Sequence, residues 1–133
     1  MTSTEIARAV LVAPKTTEIA IRGHTIRCDK PADLGGTDSG PMASEYLLAA
    51  LASCTLTTMR KIAEKRKVEL GSLACVTEMD FDDRGVVVAM RLRVEVGGTA
   101  SDKDVETVFR LSEKACTISQ LLSFPVHRAL ARG

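Results

Sequence analysis

The side chains with the most chemistry to offer are four thiols, Cys28, Cys54, Cys75 and Cys116, and two imidazoles, His24 and His127. No two cysteines are close enough in sequence to form a Cys-x-x-Cys knuckle, so a compact zinc site finds no chelating pair. The set Cys28, Cys54, Cys75 and His24 has a spacing that suits no such site. Sulfur redox chemistry remains. A thiolate can attack the O–O bond of a peroxide, become a sulfenic acid, and condense with a second thiol to a disulfide. The opposing interpretation is that each thiol simply packs in a core, as most free cysteines do.

Which thiols can meet depends on the elements that carry them. From Ala43 to Lys67 the chain has neither Gly nor Pro, enough for a helix about 36 Å long. Its first half, Tyr46 to Ala52, is apolar on every side, which predicts a central helix covered all round. In its second half Met59, Ile62 and Ala63 form one stripe, while Arg60, Lys61, Glu64, Lys65 and Arg66 face water. Cys54 sits in the buried half. A second, amphipathic helix starts at Ser101, with Asp104 in a capping-box position, and carries Val105, Val108, Phe109, Ser112, Ala115 and Cys116 on one side. Cys54 and Cys116 can therefore project into the same interior. Cys75 alternates with core residues on a strand and reads as packing, and Cys28 near a strand end reads as incidental. Cys54 lies beyond the first helical turn, where the helix dipole would help ionise a thiol, so it needs a cation or donor from elsewhere. Lys15, Arg22, Arg27 or a residue of a partner chain are the candidates.

The remaining segments frame these helices. Residues 6–28 read as short antiparallel strands with a turn at Gly23. Residues 30–41, with Pro31, Gly35, Gly36, Asp38, Ser39, Gly40 and Pro41, are loop chemistry. A hairpin follows: Leu73, Cys75, Thr77, Met79 and Phe81 alternate with polar and small residues, the turn is Asp82 to Gly85, and Val86, Val88, Met90, Leu92, Val94 and Val96 share one face of the return strand. Ser119 to Ser123 can add a turn of helix before Pro125, and the tail from His127 gives little signal. Strands, long helix, strands, helix make an α+β fold, distinct from alternating βαβ units, in one domain over residues 1–133. One small sheet cannot cover a long helix that is apolar all round, which predicts a homodimer.

Composition excludes several classes. Eighteen Lys and Arg against 17 Asp and Glu leave a net charge of +1, too little for an electrostatic nucleic-acid or acidic-membrane surface. With no Trp, one Tyr and three Phe, bases and sugars have almost nothing to stack on, so the core is aliphatic. No apolar run is long enough to span a bilayer and residues 1–5 lack a basic, apolar leader, so the expected compartment is the cytoplasm.

Gly35-Gly36-Thr37-Asp38-Ser39-Gly40-Pro41, running into Glu45-Tyr46-Leu47-Leu48-Ala49-Ala50-Leu51-Ala52-Ser53-Cys54-Thr55, resembles the stretch ahead of the reactive cysteine in the OsmC/Ohr family of osmotically inducible and organic-hydroperoxide-resistance proteins. Ala115-Cys116-Thr117-Ile118-Ser119 is similar to that family's second-cysteine motif, commonly Cys-Pro-Val-Ser. The resemblance implies antiparallel sheets around long central helices in an intertwined homodimer, with sites at the subunit interface. It also implies reduction of organic hydroperoxides without metal or flavin, and recycling by a dithiol reductant such as a dihydrolipoyl group. Carried over by position, Cys54 is peroxidatic and Cys116 resolving; the family's Glu, ten residues before the first cysteine, falls on Ser44, and Glu45, nine before and half a helical turn away from Cys54, is the carboxylate left for the site. An aliphatic pocket beside Cys54 then favours alkyl hydroperoxides. The chain departs from the pattern at Lys15, where the resemblance implies an Arg in the first strand turn, at Ser44 and at Thr117. Glu45 either acts across the interface or favours the helix start as an anion in the first turn. The alternative function is a non-catalytic module that binds a hydrophobic ligand or senses redox state.

Overall fold

A computed structural model describes residues 2–133, which form a mixed α+β chain with two small sheets. They divide into two compact units, one ending at Leu47 and one beginning at Leu48.

In the first unit β1 (Arg8–Ala13), β2 (Thr16–Ile21) and β3 (His24–Cys28) form the expected antiparallel meander in the order β1-β2-β3. The β2–β3 turn needs two consecutive residues at positive φ, supplied by Arg22 at 49° and Gly23 at 86°. The loop after β3 is organised by a residue that the sequence reading passed over. Asp29 is buried, and its carboxylate accepts from the backbone N–H groups of Lys30, Thr37 and Ser39 at 2.7, 3.2 and 3.0 Å and from both hydroxyls of Thr37 and Ser39 at 2.7 Å. The Asp29 N–H donates to the Pro41 carbonyl at 3.0 Å, so the loop closes on itself just before α1 (Ala43–Arg66).

Those donors, the Ser39 N–H first, hold the Asp29 carboxyl far below the usual carboxylate range. Because its folded proton affinity lies below the unfolded one, its contribution to stability is complete above about pH 4 and fades as the pH falls further. Asp29→Asn is expected to raise amide hydrogen exchange at Thr37 and Ser39 about tenfold at pH 7, the scale of one lost hydrogen bond, and the gap from the parent protein should narrow below pH 4. Equal exchange in both proteins at pH 7 would contradict this role.

The second unit is built on a sheet ordered β4-β5-β6, with β4 (Leu73–Phe81), β5 (Val87–Val96) and β6 (Val126–Arg132). Two corrections to the sequence reading arise here. The tail that gave little signal is β6, and it pairs with β5 in parallel, so β5, α2 (Asp102–Ala115), α3 (Thr117–Leu121) and β6 make one βαβ crossover, and this second sheet is mixed where antiparallel sheets were expected. The second correction concerns register. Asp80 pairs with Ala89 and Phe81 with Val87, leaving Val88 as an extra residue in β5. The bulge flips the alternation, so Val86, Val88 and Phe81 are about half exposed, while Val87 packs on the core.

One face of this sheet carries Met90, Leu92, Val94 and Val96, and they pack with Leu51, Met59 and Ala63 of α1 and Val105 and Val108 of α2. The buried stripe of α1 runs Leu51, Thr55, Met59, Ala63, one residue per turn. The Ser101 hydroxyl accepts from the Asp104 N–H at 3.1 Å, as its capping-box position predicts. α1 ends through Lys67 in the left-handed region at φ 55°, with the Val68 N–H closing on the Ala63 carbonyl at 2.9 Å. Arg60, expected to face water, is exposed but also donates to the carbonyls of Leu70 and Gly71 at 3.0 Å, tying down the connection to β4. Among the described residues no helix is long and apolar enough to cross a membrane.

Candidate functional site

Cys54 lies one position before the buried Thr55, at the edge of the α1 stripe, so its sulfur is only partly covered. One turn on, the Thr58 hydroxyl stands 4.0 Å from that sulfur. The hydroxyls of Thr55 and Thr57 instead turn back onto helix carbonyls, Leu51 at 2.8 Å and Ser53 at 3.1 Å, which for Thr55 lets a polar side chain sit in the buried stripe of the helix.

Cys116 is almost fully buried, at 1% exposure, at the joint where α2 ends and α3 begins. Its N–H completes α2 by donating to the Ser112 carbonyl at 2.8 Å, and its carbonyl starts α3 by accepting from the Gln120 N–H at 3.0 Å. A residue in this place presents its side chain to the free N–H groups of the next turn. Sulfur is a large, weak acceptor and closes no capping bond on α3, but polar groups converge on it at polarising range. Burial pushes the Cys116 thiol up, while the Cys54 thiol, the Ser119 hydroxyl and the N–H groups of Ser119 and Ile118 together outweigh it and hold Cys116 below the ordinary thiol value. Cys54 is thus near enough to Cys116 to be one of the groups that lower its proton affinity.

Ser119 is fixed from behind. Arg128 of β6 donates from Nη2 to its hydroxyl at 3.0 Å, and a cleft of about 470 Å³ opens beside them, mixing Leu122 and Phe124 with Arg110, Lys114 and Arg128. Arg128 was not named by the sequence reading, and Ser119 appeared there as the last residue of the second-cysteine motif and the first of a helical turn, without a role of its own. Ser119 stands three residues after Cys116, where a side chain can reach back over the first turn of a helix, which was the available signal. Arg128 had none, because only the pairing of β6 brings it here.

Cys75 points to the sheet's packed side, where burial raises its thiol against the opposing charge of Arg128, which suits a packing role. In the first unit, Glu45 accepts from the Met42 N–H at 2.9 Å, the third-position half of a capping box at the start of α1, and the Tyr46 hydroxyl donates to the Arg27 carbonyl at 2.7 Å. Arg27 pairs with Glu18 at 3.0 Å on the exposed side of β2 and β3. Cys28 is the last residue of β3. Among the described residues no three His, Cys, Asp or Glu side chains gather closely enough to hold a metal ion.

The sequence pattern of the family described as OsmC-like protein matches residues 36–130 of the chain. No curated protein is similar enough in sequence to count as a match. Among solved structures, an OsmC-like protein from Mycoplasma pneumoniae superposes with a TM-score of 0.87 at 18% identity, covering 99% of each chain. An organic hydroperoxide resistance protein from Legionella pneumophila gives 0.72 at 16% identity, covering 100% of this chain and 98% of its own. The organic hydroperoxide resistance protein OhrB of Bacillus subtilis gives 0.72 at 14% identity over 98% of both. At these identities the likeness is one of fold.

Proposed function

The chain belongs to the OsmC-like protein family, and from that membership we propose that it is a thiol peroxidase that reduces organic hydroperoxides through Cys54 and Cys116. Membership supports a peroxide- or redox-stress role in general; the observation that carries the finer reading is that a partly accessible thiol, Cys54, lies near enough to a buried one, Cys116, to lower its proton affinity.

The Cys54 thiolate attacks the terminal oxygen of the hydroperoxide, the O–O bond breaks, and the alkoxide leaves and takes a proton to become the alcohol. Cys54 is now a sulfenic acid. The Cys116 thiolate attacks the Cys54 sulfur, hydroxide departs and is protonated to water, and a disulfide forms. An external dithiol then supplies two electrons and two protons to restore both thiols. The burial of Cys116 favours this order, because a peroxide in solution meets Cys54 first. Glu45 is the carboxylate of the reading, acting from the start of α1, where its visible partner is the Met42 N–H. A second copy of the chain completes the proposal: Leu47, in the half of α1 that the sequence marks for full cover, is 37% exposed in the single chain.

The test is stoichiometric. One equivalent of an alkyl hydroperoxide added to reduced protein should consume two thiols and leave a Cys54–Cys116 disulfide by peptide mass. Survival of the Cys54 thiol would remove the peroxidase reading.

A further inference from the structure

The peroxidase reading leaves open which positive group serves the thiol pair, and the first-strand turn offers only Lys15. The second unit holds a cation of its own, Arg128, bonded to Ser119. We infer that Arg128, acting through the Ser119 hydroxyl, is the positioning residue that orients and polarises the Cys116 thiol, an assignment that rests on Cys116 being the resolving residue.

Register places Arg128 where an aliphatic residue would be expected. It pairs with Leu92, which pairs with Thr77, so it shares the row of the packed face on which Leu92 is 1% exposed. The Arg128 side chain is only 13% exposed, an expensive location for a cation unless its donors are used. They are used incompletely for structure. Nε stands 3.2 Å from Glu113 Oε1 of α2, but the Nε–H has no aligned hydrogen-bond partner. The aligned bond is the one from Nη2 to Ser119 Oγ at 3.0 Å. A hydroxyl has one proton to donate. Accepting from the guanidinium commits an oxygen lone pair, so the Ser119 proton is free to turn toward the Cys116 sulfur, and the cation strengthens it as a donor.

The surrounding charges do not provide a substitute. Glu113 is the anion nearest Arg128, and Arg110 and Lys114 of the same helix line the cleft they share with it. Asp102 and Glu106 of α2 and Arg132 of β6 border Arg128 in a second cleft. Cys75 of β4 feels the Arg128 charge directly. Facing Cys116 itself are Cys54 of α1, Ser119 and the first N–H groups of α3. A polarised Cys116 serves twice: more of it is thiolate when the Cys54 sulfenic acid must be resolved, and it leaves more readily when an external thiol attacks Cys54 in the disulfide.

The test is a pH titration of the reduced full-length protein labelled with carbon-13 at the cysteine β-carbons, read thiol by thiol by NMR. In Arg128→Met the Cys116 midpoint should rise by about one pH unit, leaving about tenfold less thiolate near neutrality. Arg128→Lys should shift it less, and Ser119→Ala, which keeps the cation and removes the hydroxyl, should shift it upward as well. An Arg128 that served packing alone would lower the melting temperature without moving the Cys116 midpoint. A parent-like midpoint in either Arg128→Met or Ser119→Ala overturns the inference, and should Arg128→Met fail to fold, Ser119→Ala and Arg128→Lys decide it by the same criterion. No peroxide enters the titration. A protein that ignores hydroperoxide but shows the shifts loses the peroxidase reading and keeps the relay, whereas one that consumes hydroperoxide without the shifts loses the relay alone.

Discussion

Cys54→Ser is expected to lower the rate of organic hydroperoxide consumption by at least about 1000-fold, the scale of loss when an enzyme's nucleophile is removed. Neither of the other two thiols of the second unit can replace it: Cys116 is buried, and Cys75 is raised by burial and disfavoured as a thiolate. Cys116→Ser should behave differently. With no reductant present it should form one equivalent of alcohol and stop, leaving a Cys54 sulfenic acid that a carbon nucleophile can trap and mass spectrometry can locate. The pair of variants separates attack from resolution, since the first loses the initial turnover and the second loses the disulfide. Consumption at the parent rate in Cys54→Ser would end the assignment, and if a hydrophobic ligand still bound, the ligand-binding module would take its place.

Gly36→Ala is expected to be the most damaging small substitution in the first unit, costing about 3 kcal/mol, the upper end of what overpacking costs. A Cβ at this position would overlap the Lys30 carbonyl oxygen and come within 2.7 Å of the Asp29 Oδ1. Neither can retreat, because the Lys30 carbonyl accepts from the Asp38 N–H at 3.0 Å and Asp29 holds five donors. Gly23→Ala and Gly85→Ala make the useful comparison. They face open space, their only difficulty being φ of 86° and 78°, and should cost about 1 kcal/mol. Denaturant melts of the three variants check the order; a Gly36→Ala protein no less stable than Gly23→Ala would show that the loop gives way.

Elements with a strong local signature were legible in the sequence. The Gly- and Pro-free run became α1 within a residue of its expected bounds, the alternation of Leu73 to Phe81 became β4, and Ser101 with Asp104 marked the start of α2. β6 was not legible, and the reason is instructive. Its inward positions are Val126, Arg128 and Leu130, and the arginine breaks the apolar alternation by which strands are recognised. The residue that hid the strand is the one that reaches Ser119. The bulge at Val88 was equally hidden, since an extra residue changes register without changing residue type.

By itself, the sequence determined which residues are chemically able to act and which helices carry them, because helix periodicity, cap residues and the rarity of thiols are local properties. It placed Cys54 on the long helix and expected Cys116 on the apolar side of the second, where the structure makes it instead the joint between α2 and α3. Only the tertiary structure decided what surrounds those sulfurs. The turn from α2 into α3 aims two N–H groups at Cys116, the parallel pairing of β6 delivers Arg128 to Ser119, and the Asp29 carboxylate gathers a loop whose residues reveal nothing of it in isolation. Each of these depends on groups far apart in the chain, and the electrostatics of a buried thiol are set by what lies within a few ångströms of it, whatever its position in sequence.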